Sequence, residues 1–369
     1  MNDWTATISP RPEVQRLVPD RHGGVTADLA ARAGVAPEEI IDFSANVNPY
    51  GPAPGVLSAV VMTDLSRYPD PAATPLRVAI AEREGLPSSQ VLVGCGTAQI
   101  IRLIGLAFVR PGDRVAVLGP CFGEYRVATE MMGGRVAALN AEADDDFAPP
   151  LDRWERHLSE LTPRLVWLCN PNNPTGSYLG RGEVERLMRA VPDALWVIDE
   201  AYRPFVYEPW SSGDLLASGR AILLRSLTKD HALPGLRVGY ALADPRLIEV
   251  LARVQPPWSV SAVAIAGGLA TLEREAWIRV SLERLRAEAS RLRAALRARG
   301  LRVIPSATHF FLVEVGCAAA VQRELLERHH ILVRDATSFG LPAFIRISAR
   351  RRQENERLIQ AMEGVQWAR

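Results

Sequence analysis

The chain has 369 residues, 48% of them apolar, which is enough to bury a large core in one large domain and one smaller one. Its formal net charge of +1, with acids and bases mixed along the sequence, excludes the basic footprint of a nucleic-acid-binding protein. The apolar runs are too short to span a membrane. The four cysteines form no CxxC pair, which excludes a disulfide or zinc framework. We therefore predict a cytoplasmic protein without a metal site.

The first part of the chain alternates short apolar runs with helical patterns. Helices are predicted at residues 100–108, 124–132 and 182–190. The runs typical of strands are residues 91–93, 114–118, 135–139, 164–168, 195–198, 221–224 and 238–242. Strands that are apolar throughout and separated by helices indicate an α/β domain with a mainly parallel sheet.

The last part of the chain follows a different pattern. A long helix rich in arginine and glutamate is predicted at residues 277–299, and it ends at Gly300. It is followed by shorter strands and helices at residues 301–304, 310–313, 318–328, 331–333, 344–347 and from 353 onward. This mixture predicts a smaller α+β domain. We divide the chain into an N-terminal arm, a large domain and a small domain at residues 1–50, 51–270 and 271–369.

Two polar loops follow predicted strands. Residues 94–99 (GCGTAQ) combine two glycines, which permit a tight turn, with the start of a helix, whose free N–H groups suit a phosphate. A plain glycine turn explains the same residues equally well. Residues 170–176 (NPNNPTG) carry more polar side chains than a bare turn requires, which favours a binding loop.

Asp199 and Tyr202 belong to the stretch DEAY, which follows the apolar residues LWVI. An acid at the carboxyl end of a buried strand lies where α/β sheets bind ligands. The alternative is that Asp199 only caps the start of a helix.

Lys229 is the only lysine of the chain, so every other residue among the 43 basic ones is an arginine. Arginine replaces lysine in most surface roles but does not lose its proton to become a nucleophilic amine. The stretch SLTK and the nearby Arg237 place two hydroxyls and a guanidinium beside this amine, which suits a phosphate monoester. A solvated loop lysine is the alternative for Lys229 taken alone. Together, an amine, a buried carboxylate and anion donors predict pyridoxal phosphate as the cofactor.

In these motifs, and over nearly its whole length, the chain resembles the pyridoxal-phosphate enzymes of the aspartate aminotransferase fold. Within that fold it is similar to the branch that contains histidinol-phosphate aminotransferases and threonine-phosphate decarboxylases. The resemblance implies a large domain with a mainly parallel seven-stranded sheet and a smaller C-terminal domain. It also implies a homodimer with shared active sites.

The resemblance also implies the cofactor site. Lys229 would bond covalently to the cofactor aldehyde, Asp199 would pair with the pyridine nitrogen, and Tyr202 would act with them in catalysis. Tyr202 and Asn173 would hydrogen-bond the ring oxygen. Phe122 would stack on the ring, and Tyr68 would reach the phosphate of the neighbouring subunit. The other phosphate contacts would be Gly96, Thr97, Ala98, Ser226, Thr228 and Arg237.

The predicted substrate is a small phosphorylated amino acid. Arg346 and Arg334 match family arginines that bind substrate anions, and two guanidinium forks suit two anionic groups. A surface ion pair is the alternative for either arginine alone. The N-terminal segment resembles the opening of threonine-phosphate decarboxylases. In that resemblance the remaining substrate contacts, beside Asn173, are His22, Gly23 and Asn46.

The functional hypothesis is therefore decarboxylation of L-threonine O-3-phosphate to (R)-1-amino-2-propanol phosphate in cobalamin biosynthesis. The alternative within the family is an aminotransferase, such as one for histidinol phosphate. The alternative from another class is a binding or regulatory protein that kept the fold. One departure concerns Asp230 and His231, which stand after Lys229 where the family carries bulky aromatics. We expect them to alter lysine basicity or proton delivery.

Overall fold

A computed structural model describes residues 9–20 and 22–365 of the protein. The first eight residues of the predicted N-terminal arm lie outside this range. Within the described part of the chain, no helix combines the length and the apolar character that crossing a membrane requires. The strands are β1 (Ile41–Asp42), β2 (Val91–Gly94), β3 (Arg114–Gly119), β4 (Arg135–Asn140), β5 (Leu165–Cys169), β6 (Leu195–Asp199), β7 (Ala221–Ser226), β8 (Gly239–Ala243), β9 (Phe310–Glu314), β10 (Ile331–Leu332), β11 (Arg334–Asp335) and β12 (Phe344–Ser348).

The helices of the described residues lie mostly between these strands. They are α1 (Pro12–Arg16), α2 (Ala27–Ala33), α3 (Val56–Val61), α4 (Thr74–Glu84), α5 (Gly96–Phe108), α6 (Glu124–Glu130), α7 (Leu151–Leu161), α8 (Arg181–Ala190), α9 (Pro245–Val254), α10 (Ala262–Leu272), α11 (Glu275–Ala298), α12 (Ala318–His329) and α13 (Arg352–Gly364). Short 3₁₀ turns occupy Pro37–Glu39, Ser88–Gln90, Arg203–Phe205, Gly213–Ser218, Pro234–Leu236 and Ala336–Phe339.

Among the described residues, seven strands form the largest sheet, in the order β2-β8-β7-β6-β5-β3-β4. The neighbours from β7 to β4 pair in parallel, whereas β8 is antiparallel to both β2 and β7. The predicted fold class, a mainly parallel seven-stranded sheet with a smaller C-terminal domain, is confirmed. The antiparallel direction of β8 was not predicted, because an apolar run does not reveal which way its strand points.

Successive residues of the central strands enter two different hydrophobic clusters. Val166 and Leu168 of β5 belong to a cluster that includes residues of α4, α7 and α8. Leu165 and Trp167 belong to another, with residues of α5, α6 and α9. Because side chains alternate between the two faces of a strand, the sheet is covered by helices on both faces. This double burial explains why the strands are apolar throughout.

The C-terminal part is built on the antiparallel sheet β11-β12-β9, with α11, α12 and α13 contributing to its hydrophobic cluster. β1, from the predicted arm, pairs in parallel with β10. The strand predicted at residues 301–304 is wrong, since only Val303 forms an isolated bridge, to Val313. Residues 301–303 lie beside α11. Their apolar side chains are buried against a helix, and from the sequence this burial looks the same as that of a strand. The domain boundaries near residues 50 and 270 stay a prediction.

Candidate active site

The segments that follow β5, β6 and β7 converge on a cavity of about 250 Å³, to which they contribute Asn173, Tyr202 and Lys229. Ligand sites of α/β sheets lie at this edge. The predicted site residues that line the cavity are His22, Gly23, Asn46, Ala98, Phe122, Asn173, Tyr202, Lys229, Arg237, Arg334 and Arg346. Those that do not line it are Tyr68, Gly96, Thr97, Asp199, Ser226 and Thr228.

Lys229 lies on the cavity wall with its backbone held from the N-terminal arm. The backbone N–H of Asn48 donates to the Lys229 carbonyl at 2.9 Å, and the Asn48 side chain donates to the Asp230 carbonyl at 2.9 Å. Burial and then the charges of Arg346 and Arg237 together lower the pKa of Lys229 to about 8, against the opposing effect of Asp199. The neutral, nucleophilic form of this amine is therefore much more accessible near neutral pH than that of an ordinary lysine.

Asp199 is buried at the end of β6 and accepts two hydrogen bonds. Tyr125 Oη donates to Oδ2 at 2.8 Å, and the Ala201 backbone N–H donates to Oδ1 at 3.0 Å. Burial raises the pKa of Asp199, while the two hydrogen bonds and the charge of Lys229 oppose that rise. Asp199 therefore does more than cap a helix, which was the alternative, because its carboxylate accepts from Tyr125 as well as from the Ala201 backbone.

The glycine turn before α5 packs directly against Arg237. Gly96 has φ of +73°, and a Cβ atom there would lie 2.7 Å from Nη2 of Arg237. The hydroxyls of Ser226 and Thr228 lie 2.7 Å apart at the end of β7. A helix N-terminus, two hydroxyls and a guanidinium are donors that a phosphate monoester takes. This donor set fits the phosphate of pyridoxal phosphate.

The two predicted substrate arginines line the same cavity but are held differently. Arg346 is buried, donates from Nη1 to the Asn173 side chain and from Nη2 to the Ser44 carbonyl, and burial lowers its pKa to about 10. Arg334 donates from Nη2 to the Ser338 hydroxyl at 2.6 Å. Neither is the surface ion pair that was the alternative, because both are nearly buried and line the cavity.

Two further predicted residues take different positions. Asn46 is buried beside this cavity, and neither of its amide atoms has a hydrogen-bond partner among the described protein groups. A buried amide of this kind calls for a ligand or a water.

Tyr68 is 80% exposed and stacks on Trp258 with ring centroids 4.7 Å apart, outside the cavity of its own chain. Its contact with a neighbouring subunit stays a prediction.

Asp230 and His231 point away from the Lys229 amine. Both line a separate cavity of about 60 Å³, and the His231 ring contacts Thr271 at 2.9 Å and Arg83 at 3.3 Å. The expectation that these side chains deliver protons at the lysine is wrong. Sequence adjacency misled here, because the chain turns at residues 230–231 and carries both side chains to a cavity that Lys229 does not line.

Several residues of the site were not predicted. Tyr125 and Glu124 were missed although they follow Phe122 in the stretch FGEY, and Asn48 was missed although it lies two residues after Asn46. Their polar side chains beside predicted contacts were the available signal. The unpredicted residues of the cavity wall are Asp20, Ser44, Ala45, Glu124 and Phe339.

Residues 38–362 match the family model described as aminotransferase class I and II. The chain belongs to this family. Histidinol-phosphate aminotransferase 1 of Thiobacillus denitrificans is 32% identical over 370 residues, which cover 98% of this chain and 95% of that protein. Further proteins named histidinol-phosphate aminotransferase are also 32% identical.

Solved structures are similar over most of the chain. The histidinol-phosphate aminotransferase of Sinorhizobium meliloti, in complex with pyridoxal-5'-phosphate, has a TM-score of 0.87 at 25% identity, covering 97% of both chains. The L-threonine-O-3-phosphate decarboxylase of Porphyromonas gingivalis has a TM-score of 0.76 at 29% identity, covering 88% of this chain and 98% of that one.

These relatives correct the functional prediction. The decarboxylase hypothesis, with its place in cobalamin biosynthesis, is wrong, because the curated relatives that match the full chain carry the aminotransferase name. The motifs misled because they hold a cofactor and a phosphorylated substrate, and neither determines which bond breaks. The family supports an enzyme over a binding or regulatory protein.

Pyridoxal phosphate is the cofactor of this family member. When bound, it draws electrons from the bonds at the substrate α-carbon. Lys229 would hold it covalently, Asp199 would face the ring nitrogen, and Phe122 would lie along the ring. Gly96 and Arg237 would flank its phosphate, and the absence of a Cβ atom on Gly96 permits the close approach of the Arg237 guanidinium.

Proposed function

We propose that this enzyme transfers the amino group of a small phosphorylated amine, of the histidinol phosphate type, to a 2-oxo acid. The observation that carries the proposal is the placement of Arg334 and Arg346 in the cavity that contains Lys229. The names of the relatives support the same substrate type.

The substrate is oriented by the two arginines. Arg346 is fixed by Asn173 and by the Ser44 carbonyl, so its guanidinium is presented to a ligand in one orientation. A fixed guanidinium binds carboxylate or phosphate oxygens with little loss of side-chain entropy. Arg334 offers a second positive charge. The two guanidinium groups can bind either the phosphate of a phosphorylated amine or the carboxylates of a 2-oxo acid.

Lys229 is the group that moves protons in the cavity. With a pKa of about 8, its amine exchanges a proton without a large free-energy cost near neutral pH. The Tyr202 ring lies beneath the amine, with 6.0 Å between Nζ and the ring centroid. The charge of Asp199 opposes the lowering of the Lys229 pKa, and Asp199 would face the ring nitrogen of the cofactor.

We also propose that the enzyme is a homodimer. Around Tyr68 the chain exposes a set of large apolar side chains, and isolated patches of this kind are typical of protein interfaces. Its members are Leu57, Val61, Met62, Leu65 and Tyr68. A second copy placed there would bring Tyr68 towards its partner's cavity.

The test is an amino-transfer assay on the purified enzyme loaded with pyridoxal phosphate. L-histidinol phosphate and 2-oxoglutarate are supplied together, and glutamate formation is followed. We expect glutamate to form only when both compounds are present, and to be lost in Lys229→Ala. If the wild-type enzyme forms no glutamate from L-histidinol phosphate, the proposed substrate is wrong.

A further inference from the structure

Glu124 is a buried carboxylate on the cavity wall. It opens α6 and is 7% exposed. Arg102 donates to its Oε2 atom twice, from Nε at 3.0 Å and from Nη2 at 2.6 Å. Both bonds end on the same oxygen, so they hold Oε2 on Arg102. The second oxygen, Oε1, is left for another donor.

An imidazole ring already occupies the space at Oε1. His22 Nε2 lies 3.3 Å from this oxygen, and the His22 ring lies 5.6 Å from the Phe122 ring, centroid to centroid. The His22 side chain is 53% exposed, so moving it into solvent exposes little new surface. The wall formed by Glu124 and Phe122 thus holds a nitrogen-containing ring that is half-exposed.

The cavity has opposite charges on its walls. Arg334 and Arg346 favour an anionic group, whereas Glu124 repels one and accepts from a donor. A substrate that satisfies both walls carries an anion on one arm and an N–H donor on the other. Lys229 lines the same cavity, where the amine between the two arms would react.

We propose that Glu124 determines substrate specificity: its Oε1 atom accepts a hydrogen bond from the N–H of a ring on the substrate's second arm, in place of His22. This inference rests on the proposed function and adds the recognition of the ring to it. Sites built to pair a substrate N–H discriminate strongly against analogues without that group, because the site acceptor is then left unpaired.

The test compares two ligands that differ only in the ring. L-histidinol phosphate has an imidazole N–H, whereas L-phenylalaninol phosphate has the same amine and phosphate and a phenyl ring. Their dissociation constants are measured from the absorbance change of the bound cofactor, and their amino-transfer rates from glutamate formation. Glu124→Gln is the test variant. Glu130→Gln, on the same helix and paired with Arg126, is the matched control.

In Glu124→Gln the amide oxygen stays on Arg102, so the amide nitrogen faces the cavity and a donor replaces the acceptor. We expect affinity for L-histidinol phosphate to fall on the order of 10- to 100-fold, the effect of losing a hydrogen bond to a charged group. Affinity for L-phenylalaninol phosphate should change less than about threefold. Glu130→Gln should match the wild type for both ligands.

Equal losses for both ligands would overturn the inference, since Glu124 would then act only on the shape of the site. His22→Ala provides a second test, because it removes the competing ring without touching the carboxylate. It should tighten L-histidinol phosphate binding, and selective weakening would assign the contact to His22 instead. Failure of the proposed function has a different signature: the ligands bind with the predicted selectivity, yet no glutamate forms.

Discussion

Tyr125 and Asp199 are joined by a buried hydrogen bond of 2.8 Å between the phenol Oη and the carboxylate Oδ2. Tyr125 is itself fixed by Trp167, with stacked rings 5.1 Å apart, and its phenol has a pKa well above its usual value because of burial. The phenol therefore remains a donor throughout the working pH range. Burial raises the pKa of Asp199, and this donor is one of the groups that opposes the rise.

Tyr125→Phe is expected to weaken the withdrawal of electrons by the bound cofactor. Without the phenol, the pKa of Asp199 rises further and the carboxylate holds a proton more often at neutral pH. The cofactor ring nitrogen then loses its negative partner. We expect kcat to fall about tenfold or more, the effect of one lost charge-assisted hydrogen bond. The midpoint of the pH titration of the cofactor absorbance should also shift. Tyr207→Phe, at a 74% exposed tyrosine, is the control and should change neither.

The attachment of the cofactor is expected to depend on pH through Lys229. Only the neutral amine attacks an aldehyde, so the rate rises with pH and levels off above the pKa of about 8. Stopped-flow mixing of cofactor-free enzyme with pyridoxal phosphate measures this rate. In Arg346→Gln the midpoint should move upward, because a positive neighbour that disfavours the charged amine is gone. A wild-type midpoint above about 10, the ordinary lysine range, would show that the Lys229 amine is not perturbed by its surroundings.

The stability of the large domain is expected to depend on Arg225. Its guanidinium contacts both Glu84 and the nearly buried Glu200. Arg225→Met removes the cation that joins these two carboxylates and leaves only Arg203, 3.9 Å from Glu200, which should lower the free energy of unfolding by about 3–5 kcal/mol. Arg253→Met breaks an exposed pair with Glu249 and should cost less than about 1 kcal/mol. Urea unfolding of both variants makes the comparison, and equal losses would contradict it.

The apolar patch is expected to form the dimer interface. Leu65 is 76% exposed, and Leu65→Glu replaces one of these apolar side chains by a charged one. Sedimentation equilibrium should then give a larger monomer fraction and a lower specific activity. Leu106→Glu, at a 48% exposed leucine of α5 outside the patch, is the control. A wild-type protein that sediments as a monomer would refute the homodimer.

The parts of the fold that were predictable share a simple pattern. The parallel strands were found because burial on both faces leaves continuous apolar runs, and Lys229 was found because it is the only lysine. The direction of β8 and the loss of the strand at 301–304 were not predictable, since pairing depends on distant partners. Tyr125 and Glu124 illustrate the same limit, because their roles arise from Asp199 and Arg102, far away in sequence.

The substrate was harder to predict than the cofactor for a physical reason. Cofactor binding needs residues of fixed chemistry, and Asp199, Lys229 and Arg237 supply it. The reaction depends on orientation within a cavity, and a sequence does not record orientation. The pairing of Arg346 with Asn173 and the Ser44 carbonyl is such an orientation, and it became visible only in the structure.

The most direct measurement is reduction of the enzyme loaded with pyridoxal phosphate by borohydride, followed by peptide mapping. Because Lys229 is the only lysine, the labelled site is unambiguous once the N-terminal peptide is compared. We expect one pyridoxyl group per chain, on the peptide that contains Lys229, and none in Lys229→Ala. A label found only on the N-terminal amine, or the same labelling in Lys229→Ala, would contradict this expectation.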